Sequence, residues 1–515
     1  MVSWSLRLAG AGAIASIAVD VAAAATAPQA RTDLGLLRGV RLEGKAAAFR
    51  GIPYAQPPVG PLRWRATRPA LRWRGVRDAS AFGAICPQPT RGGQSDQTPQ
   101  SEDCLTINVV TPDPRGRGLP VLVSIHGGAF FAGSGRYLAD QDLSAIVRRG
   151  VVLVSPNYRI GRLGFFAHPA LTASGSDREP VANYWLMDQI EALRWVRRNI
   201  AAFGGDPDNV TILGCSAGGS SVNALMASPR ARGLFARASV HSGGGFFNAT
   251  RALAVAERQG LDFAARAGVS GAGPDAIAQL RRLSVAQVLA ADPGPPNFGA
   301  MIDGRLLREQ ISVSFARGDV ARVPMVVGST SNEASVFGLM GFDRNVLAQR
   351  FGVDLDMLRP LYATGAPLGD AELLRQVQTD FIFTSASLGM ASLAARAGLS
   401  SYAYHFDYVP AAERPLMPGA AHCADMPYRF GMADDRSAAG VALSRALETY
   451  LVNFLHTGDP NGPGLPAWPR FETDRAAPLV IGESLRAVPG FRARQLAPWY
   501  AKWSRESGQP FPMRR

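Results

Sequence analysis

The stretch that most restricts this chain runs from Phe203 to Val222, FGGDPDNVTILGCSAGGSSV. Val210-Thr211-Ile212-Leu213 reads as a buried strand, and it leads without a spacer into Gly214-Cys215-Ser216-Ala217-Gly218. That is the pattern G-x-S-x-G. A serine set at a sharp turn between strand and helix needs small residues around it, because backbone passes where a Cβ would collide. The small run Ala217 to Ser221, followed by Val222, Leu225 and Met226, supplies the helix. The same pentapeptide arises by chance in Gly- and Ser-rich chains as a turn without chemistry, so its weight depends on finding a base and an acid.

The flanking pattern predicts an α/β fold. Leu105 to Val110, Leu119 to Ile125, Val151 to Val154, Ala236 to His241, Val323 to Val327 and Tyr402 to Tyr408 have the short, β-branched and aromatic make-up of strands. Trp185 to Ile200 places Leu186, Ile190, Leu193, Val196 and Ile200 at helical spacing with charge opposite. Leu253 to Arg282 and Ala438 to His456 are also expected to be helical, and Leu36 to Ala48 to be a hairpin. Strands alternating with helices imply a mostly parallel sheet covered on both faces. No linker divides the chain, so residues 26–515 are expected to form one domain.

With 47% hydrophobic and 18% charged residues, a 515-residue chain has the balance of a globular enzyme. The net charge of +13 rests almost wholly on arginine, lysine occurring only at Lys45 and Lys502. The arginines are scattered and form no polybasic tract, and nothing resembles a nucleic-acid module. Residues 1–25 read as a cleaved leader: Arg7, an apolar run from Leu8 to Val19 broken by Asp20, then small residues from Ala22 to Ala27. The apolar run is shorter than the roughly 20 residues a span requires, so export without a stable membrane anchor is expected. An oxidising compartment permits cysteine pairing, and Cys86, Cys104, Cys215 and Cys423 leave the connectivity open. Cys86 and Cys104 bracket a Gln-, Gly-, Pro- and Ser-rich loop; tying its ends would restrict the unfolded chain by about 3 kcal/mol. The alternative is two free thiols.

An activated serine needs a base, and the base needs an acid to hold its tautomer. Six histidines are available: His126, His168, His241, His405, His422 and His456. His126 heads a Gly-rich loop, His405 lies in a strand and His456 in a helix, and neither His168 nor His241 has a small-residue loop after the serine. His422 sits in Pro418-Gly419-Ala420-Ala421-His422-Cys423-Ala424-Asp425, where an imidazole can reach over a cleft. It also follows the serine, as the order Ser, acid, His requires. The acid should lie between them at a strand end, which selects Glu333 after Gly328-Ser329-Thr330-Ser331-Asn332. Donors for a tetrahedral oxyanion are expected from the backbone of Gly128 and Ala129, after His126-Gly127, and from Ala217. A phosphate-binding loop is disfavoured because no Lys-Ser/Thr follows the glycines.

These residues sit among longer motifs: GIPYAQPPVGPLRW from Gly51, SEDCLTINVV from Ser101, IHGGAF from Ile125, NYRIGRLGFF from Asn157, VHSGG from Val240 and NFLHTGDPNGPG from Asn453. With them the chain resembles the type-B carboxylesterases, the family of the cholinesterases and para-nitrobenzyl esterases, from about residue 31 to the end. The resemblance implies the α/β-hydrolase fold with insertions around an active-site gorge, and a serine hydrolase cleaving carboxylic esters through an acyl-enzyme. It assigns Ser216 as nucleophile, Glu333 as acid and His422 as base. It also implies a Cys86–Cys104 disulfide, a hydrogen bond from Ser242 to the acid, and buried ion pairs Arg63–Glu102 and Arg159–Asp188. No cofactor or metal is implied, since the histidines lack metal-ligand spacing; the expected partner is a small-molecule ester.

The chain departs from the family in three places. Cys215 replaces the usual glutamate before the nucleophile, Cys423 replaces the usual glycine after the histidine, and Asn332-Glu333-Ala334 stands where Asp-Glu-Gly is favoured. The two cysteines either pair or are small residues filling buried space, with somewhat more weight on the second. Asp206 with Asn209 is expected to form a turn, and Ser220 and Ser221 to pack in the helix. Phe130, Phe131, Phe246 and Phe247 are as suited to core as to an acyl pocket. A catalytically silent binding protein of the same fold is the rival class, which an intact triad disfavours. Choline esters are disfavoured because the loop from Cys86 to Cys104 contains no aromatic residue for a cation.

Overall fold

Residues that alternate along the strands divide into two apolar layers, one on each face of a single large sheet. The computed structural model describes residues 27–512 except 90–97, 137–144, 175–178, 180, 245–249, 293–297, 339–340, 364–366 and 473–476. The expected leader and Phe246 and Phe247 lie outside the described residues. The sheet has eleven strands: β1 Val40–Arg41, β2 Ala47–Pro53, β3 Thr106–Thr111, β4 Leu119–Ile125, β5 Val152–Pro156, β6 Gly205–Cys215, β7 Arg237–His241, β8 Met325–Thr330, β9 Ser401–Phe406, β10 Leu479–Ile481 and β11 Leu485–Ala487. Their spatial order is β11-β10-β9-β8-β7-β6-β4-β5-β3-β2-β1.

From β10 across to β5 every neighbouring pair is parallel. The margins are antiparallel: β11 on β10, and β5, β3, β2 and β1 in succession. The sheet is therefore mixed, and its parallel part is the part that carries the elbow. A parallel strand must return by a crossover, which puts helices on both faces. Helices α1 Tyr184–Asn199 and α2 Ala217–Ala227 share a core with Val121, Val123, Val154 and Ile212. The helix Ala438–Thr457, by contrast, meets Leu122, Leu153 and Leu213 through Leu451 and Leu455. The period-2 alternation of strand side chains is what sends Val123 and Ile212 one way and Leu122 and Leu213 the other.

Two expectations are corrected, and two strands were not anticipated. Leu36 to Ala48 is not one hairpin: Leu36–Arg38 pairs with Gln29–Arg31 and Val76–Asp78 in a separate three-stranded sheet, and only Val40–Arg41 pairs with Ala47 and Ala48. Strands β10 and β11 are too short for a periodicity to announce them. Helix α1 is not charged along the whole of its outer side, since Asp188 and Glu191 are buried and only Arg194, Arg197 and Arg198 are exposed. Asp188 is sunk because Arg159 meets it with two bonds of 2.8 Å, and Arg63 holds Glu102 at 2.7 Å from its Nε. A paired and hydrogen-bonded carboxylate tolerates burial that an isolated one does not.

Candidate active site

Strand β6 ends at Cys215, and Ser216 turns the chain into α2 with φ 60° and ψ −126°, a conformation L-residues rarely adopt. Its backbone N–H donates to the His241 carbonyl at 2.9 Å, which fixes the turn to the neighbouring strand. Glycine is required at position 218: a Cβ there would stand 2.2 Å from the Ile125 carbonyl oxygen at the end of β4. Ser216 is thus left partly exposed at the end of a buried strand. Ala217 is the first residue of α2, so its N–H has no acceptor within the helix. Ser221 donates to the Ala217 carbonyl at 2.9 Å and packs inside the helix, whereas Asp206 lies within β6 and not in the expected turn, accepting from the Asp208 N–H at 2.9 Å where the pairing with β4 shifts register between Gly205 and Val210.

The loop after β4 lies against the elbow. A Cβ on Gly127 would come 2.8 Å from the Cys215 carbonyl oxygen and 3.3 Å from Ser216 Cβ, so only glycine permits this approach. Gly128, Ala129 and Phe130 all have positive φ, 106°, 50° and 63°, so the loop turns sharply where it passes the elbow. Gly128 is exposed, whereas Phe130 and Phe131 are buried, Phe130 against Phe165 and Trp185. The core reading of these two phenylalanines is therefore the one the packing supports. His126 stacks on Tyr158 at 4.2 Å, and burial lowers it to about 4 despite its contact with the Gly127 carbonyl. It is neutral near pH 7 and holds the loop through packing.

Glu333 follows β8 in a short turn and is fully buried. One carboxylate oxygen accepts from the Thr330 N–H at 2.7 Å, and the other meets His422 Nδ1. The loop carrying His422 is tied to this turn by a bridge between Asn332 and Ala421, by Asn332 N–H to the Ala420 carbonyl at 2.8 Å, and by His422 N–H to Ser335 Oγ at 2.9 Å. Phe383 packs its ring 4.8 Å from the imidazole. It projects from a π-helical turn, Asp380–Thr384, a local widening that the sequence does not announce. His422 Nε2 is buried and has no hydrogen-bond partner among the described residues. Glu333 and His422 are thus bonded to one another, whereas Ser216 makes no hydrogen bond to His422 Nε2.

The family model for the carboxylesterase family matches residues 26–360 and 367–499. This chain belongs to the carboxylesterase family. The carboxylesterase is 34% identical to the para-nitrobenzyl esterase of Bacillus subtilis over 88% of its own length and 94% of that protein. It is 35% identical to the phenmedipham hydrolase of Pseudarthrobacter oxydans over 92% and 98%. A crystal structure of a Geobacillus stearothermophilus carboxylesterase superposes with a TM-score of 0.80 at 31% identity, covering 92% of this chain and 99% of that one. The fold is that of the α/β-hydrolases, and the activity is carboxylic-ester hydrolysis of the serine-hydrolase class on small-molecule esters.

In the carboxylesterase, Cys86 is bonded to Cys104, both fully buried, and Cys215 is bonded to Cys423, both partly exposed. The favoured reading of Cys215 and Cys423 as two unlinked space-fillers is therefore corrected. Their Cα atoms are 6.2 Å apart because the elbow and the histidine loop meet at this point, which the separate loops do not reveal in sequence. The expected hydrogen bond from Ser242 to Glu333 is absent: Ser242 Oγ is buried without a partner among the described residues. Thr330 and His422 occupy the two oxygens of Glu333, and Ser242 is held by its own N–H to Gly328 O at 2.8 Å.

A second polar cluster lies beneath the site. His241 Nε2 is 2.8 Å from Ser239 Oγ, and its Nδ1 is 2.8 Å from Tyr404 Oη and 3.2 Å from Asp425 Oδ2. Arg429, one helical turn after Asp425 in the short helix Asp425–Arg429, donates from Nε to the same carboxylate at 2.7 Å. Burial works to raise Asp425, but Arg429 and the bond to His241 outweigh it and hold the carboxyl below its usual range. Burial lowers His241, so it is neutral near pH 7. The helical spacing of Asp425 and Arg429 is the one sequence signal that could have pointed to this cluster. Among the described residues no group of His, Cys, Asp and Glu is arranged to hold a metal, and no helix is long and apolar enough to cross a membrane.

Proposed function

We propose that Ser216, His422 and Glu333 form the catalytic triad of this carboxylesterase. His422 takes the proton from Ser216 Oγ as the serine attacks the ester carbonyl, Glu333 holds the imidazole in the reactive tautomer, and the N–H groups of Gly128, Ala129 and Ala217 receive the oxyanion. The alcohol leaves with the proton from His422, and water then deacylates the enzyme by the same route. The observation that carries this reading is the Glu333–His422 hydrogen bond beside a serine at a strained strand-to-helix turn.

Short-chain aryl esters are the proposed substrate class; the two bacterial relatives are named for para-nitrobenzyl esters and for phenmedipham. Choline esters are disfavoured because the loop tied by Cys86 and Cys104 offers no aromatic surface. Export by cleavage near residue 25 accords with two disulfides, which persist in oxidising compartments. Ser216→Ala should abolish hydrolysis of a para-nitrophenyl ester in protein that unfolds at the wild-type temperature. Undiminished turnover in that variant refutes the assignment, and failure of a fluorophosphonate to label the wild type favours the silent binding protein instead.

A further inference from the structure

The segments that carry the nucleophile and the base meet in a way that their hydrogen bonds do not explain. The acid turn and the histidine loop are joined by a β-bridge, backbone bonds and the Glu333–His422 contact. The elbow is joined to the β4 loop by the approach of Gly127 and to β7 by the Ser216 N–H. Between the elbow and the histidine loop the direct tie is covalent: the residue before the nucleophile, Cys215, is bonded to the residue after the base, Cys423. His422 Nε2 itself makes no hydrogen bond among the described residues, so no such bond holds it over the serine.

We propose that the Cys215–Cys423 disulfide is a positioning device for ester cleavage, setting the distance and angle between Ser216 Oγ and His422 Nε2. The proposal rests on the triad assigned above. Cys423 itself has φ 63°, a region that favours glycine, and Cys215 ends β6 directly before Ser216, whose φ is 60°. A residue with a side chain at position 423 is therefore a local conflict, and the bond from its sulfur to the elbow is the feature that accounts for it. The bridge also joins positions 208 residues apart in sequence, so it couples the two halves of the chain at the point where they share one reaction. A proton transfer requires its heavy atoms within hydrogen-bond reach, and a displacement of about 1 Å at such a site costs about 100-fold in rate.

The accessibility of the two disulfides supplies the means of testing this. Cys215 and Cys423 are partly exposed, whereas Cys86 and Cys104 are buried. Mild reduction of the folded enzyme with dithiothreitol should open the first pair, and peptide mass mapping after alkylation of an aliquot identifies which pair has opened. In the enzyme reduced at Cys215 and Cys423, and in the C215A/C423A variant, kcat for a para-nitrophenyl ester should fall about tenfold or more with KM within about twofold. Fluorophosphonate labelling should slow in parallel, and reoxidation of the reduced enzyme should restore the rate. A merely structural bridge would lower the unfolding temperature and leave kcat of the folded protein unchanged, and that result overturns the proposal. Where the double variant does not fold, the reduced wild type carries the same two outcomes. Ser216→Ala in the same assay separates the two levels: residual full activity there overturns the triad, whereas an inactive Ser216→Ala beside an unchanged C215A/C423A overturns the positioning role alone.

Discussion

Among the described residues the molecule contains two serine–histidine–carboxylate sets, and the one with the better hydrogen bonds is the one sealed from solvent. In the buried set, both nitrogens of His241 are engaged, by Ser239 on one side and by Tyr404 and Asp425 on the other, and His241 and Asp425 are wholly inaccessible. In the open set, Glu333 is equally buried, but His422 keeps its Nε2 unpaired and Ser216 is partly exposed at a strained turn. Ser239 lies in the regular strand β7, while Ser216 begins a helix with the Gly127 loop against it. Connectivity alone therefore does not make a triad. Chemistry needs an unengaged nitrogen, an accessible oxygen and N–H groups that are free to receive charge.

The comparison is broken most severely by exchanging serines. Ser216→Ala should cost about 10^4-fold or more in kcat/KM, and Ser239→Ala should leave kcat within about twofold, both read from aryl-ester turnover of folded protein. The carboxylates should part in the same way. Glu333→Gln should lower kcat by about 10^2- to 10^4-fold with little change in unfolding, because the loss falls on the orientation of His422. Asp425→Ala should instead cost about 3 to 5 kcal/mol of stability in denaturant unfolding, because it leaves Arg429 buried without its partner. Removing the Cys86–Cys104 bond should cost about 3 kcal/mol in the same measurement and leave kcat of the folded protein unchanged.

The smallest effect concerns protons. Burial lowers His241, and burial with the nearby Arg492 lowers His405 to about 3. In the unfolded chain both bind a proton near pH 6.5, so below that value the unfolded state takes up more protons than the folded one. Their contribution to stability is complete above about pH 6.5 and is lost progressively as the pH falls toward the lowered folded values, at up to about 1.4 kcal/mol per pH unit for each histidine. Denaturant midpoints measured from about pH 7 down to pH 5 should therefore decline steadily. A midpoint that rises on acidification would contradict the assignment of both histidines as buried and neutral.

The sequence exposed the parts of the site that local patterning controls. The elbow is legible because a buried strand, two glycines and a helix leave Ser216 no other conformation, and Glu333 because it follows a strand end. His422 is found by elimination among six histidines. What pairs across long separations was legible only in part: the positions of Cys215 and Cys423 offered a bond without deciding it, while His241 with Asp425 and Phe383 with His422 depend on where loops from different strands converge. The hydrogen bond assigned to Ser242 failed for the same reason, because whether its Oγ reaches Glu333 is decided by how the segments after β7 and β8 pack together. In the fold, the longer parallel strands were visible as apolar runs, while the short strands β10 and β11 at one margin have too few residues to show a period.

The central claim is that the open set, and not the sealed one, supplies the nucleophile. Labelling the intact enzyme with a fluorophosphonate and mapping the modified peptide tests it directly. The expected result is one adduct per chain on Ser216, with Ser239 unmodified and turnover lost in proportion to labelling. An adduct on another serine, or complete labelling of Ser216 with hydrolysis unimpaired, would contradict the account.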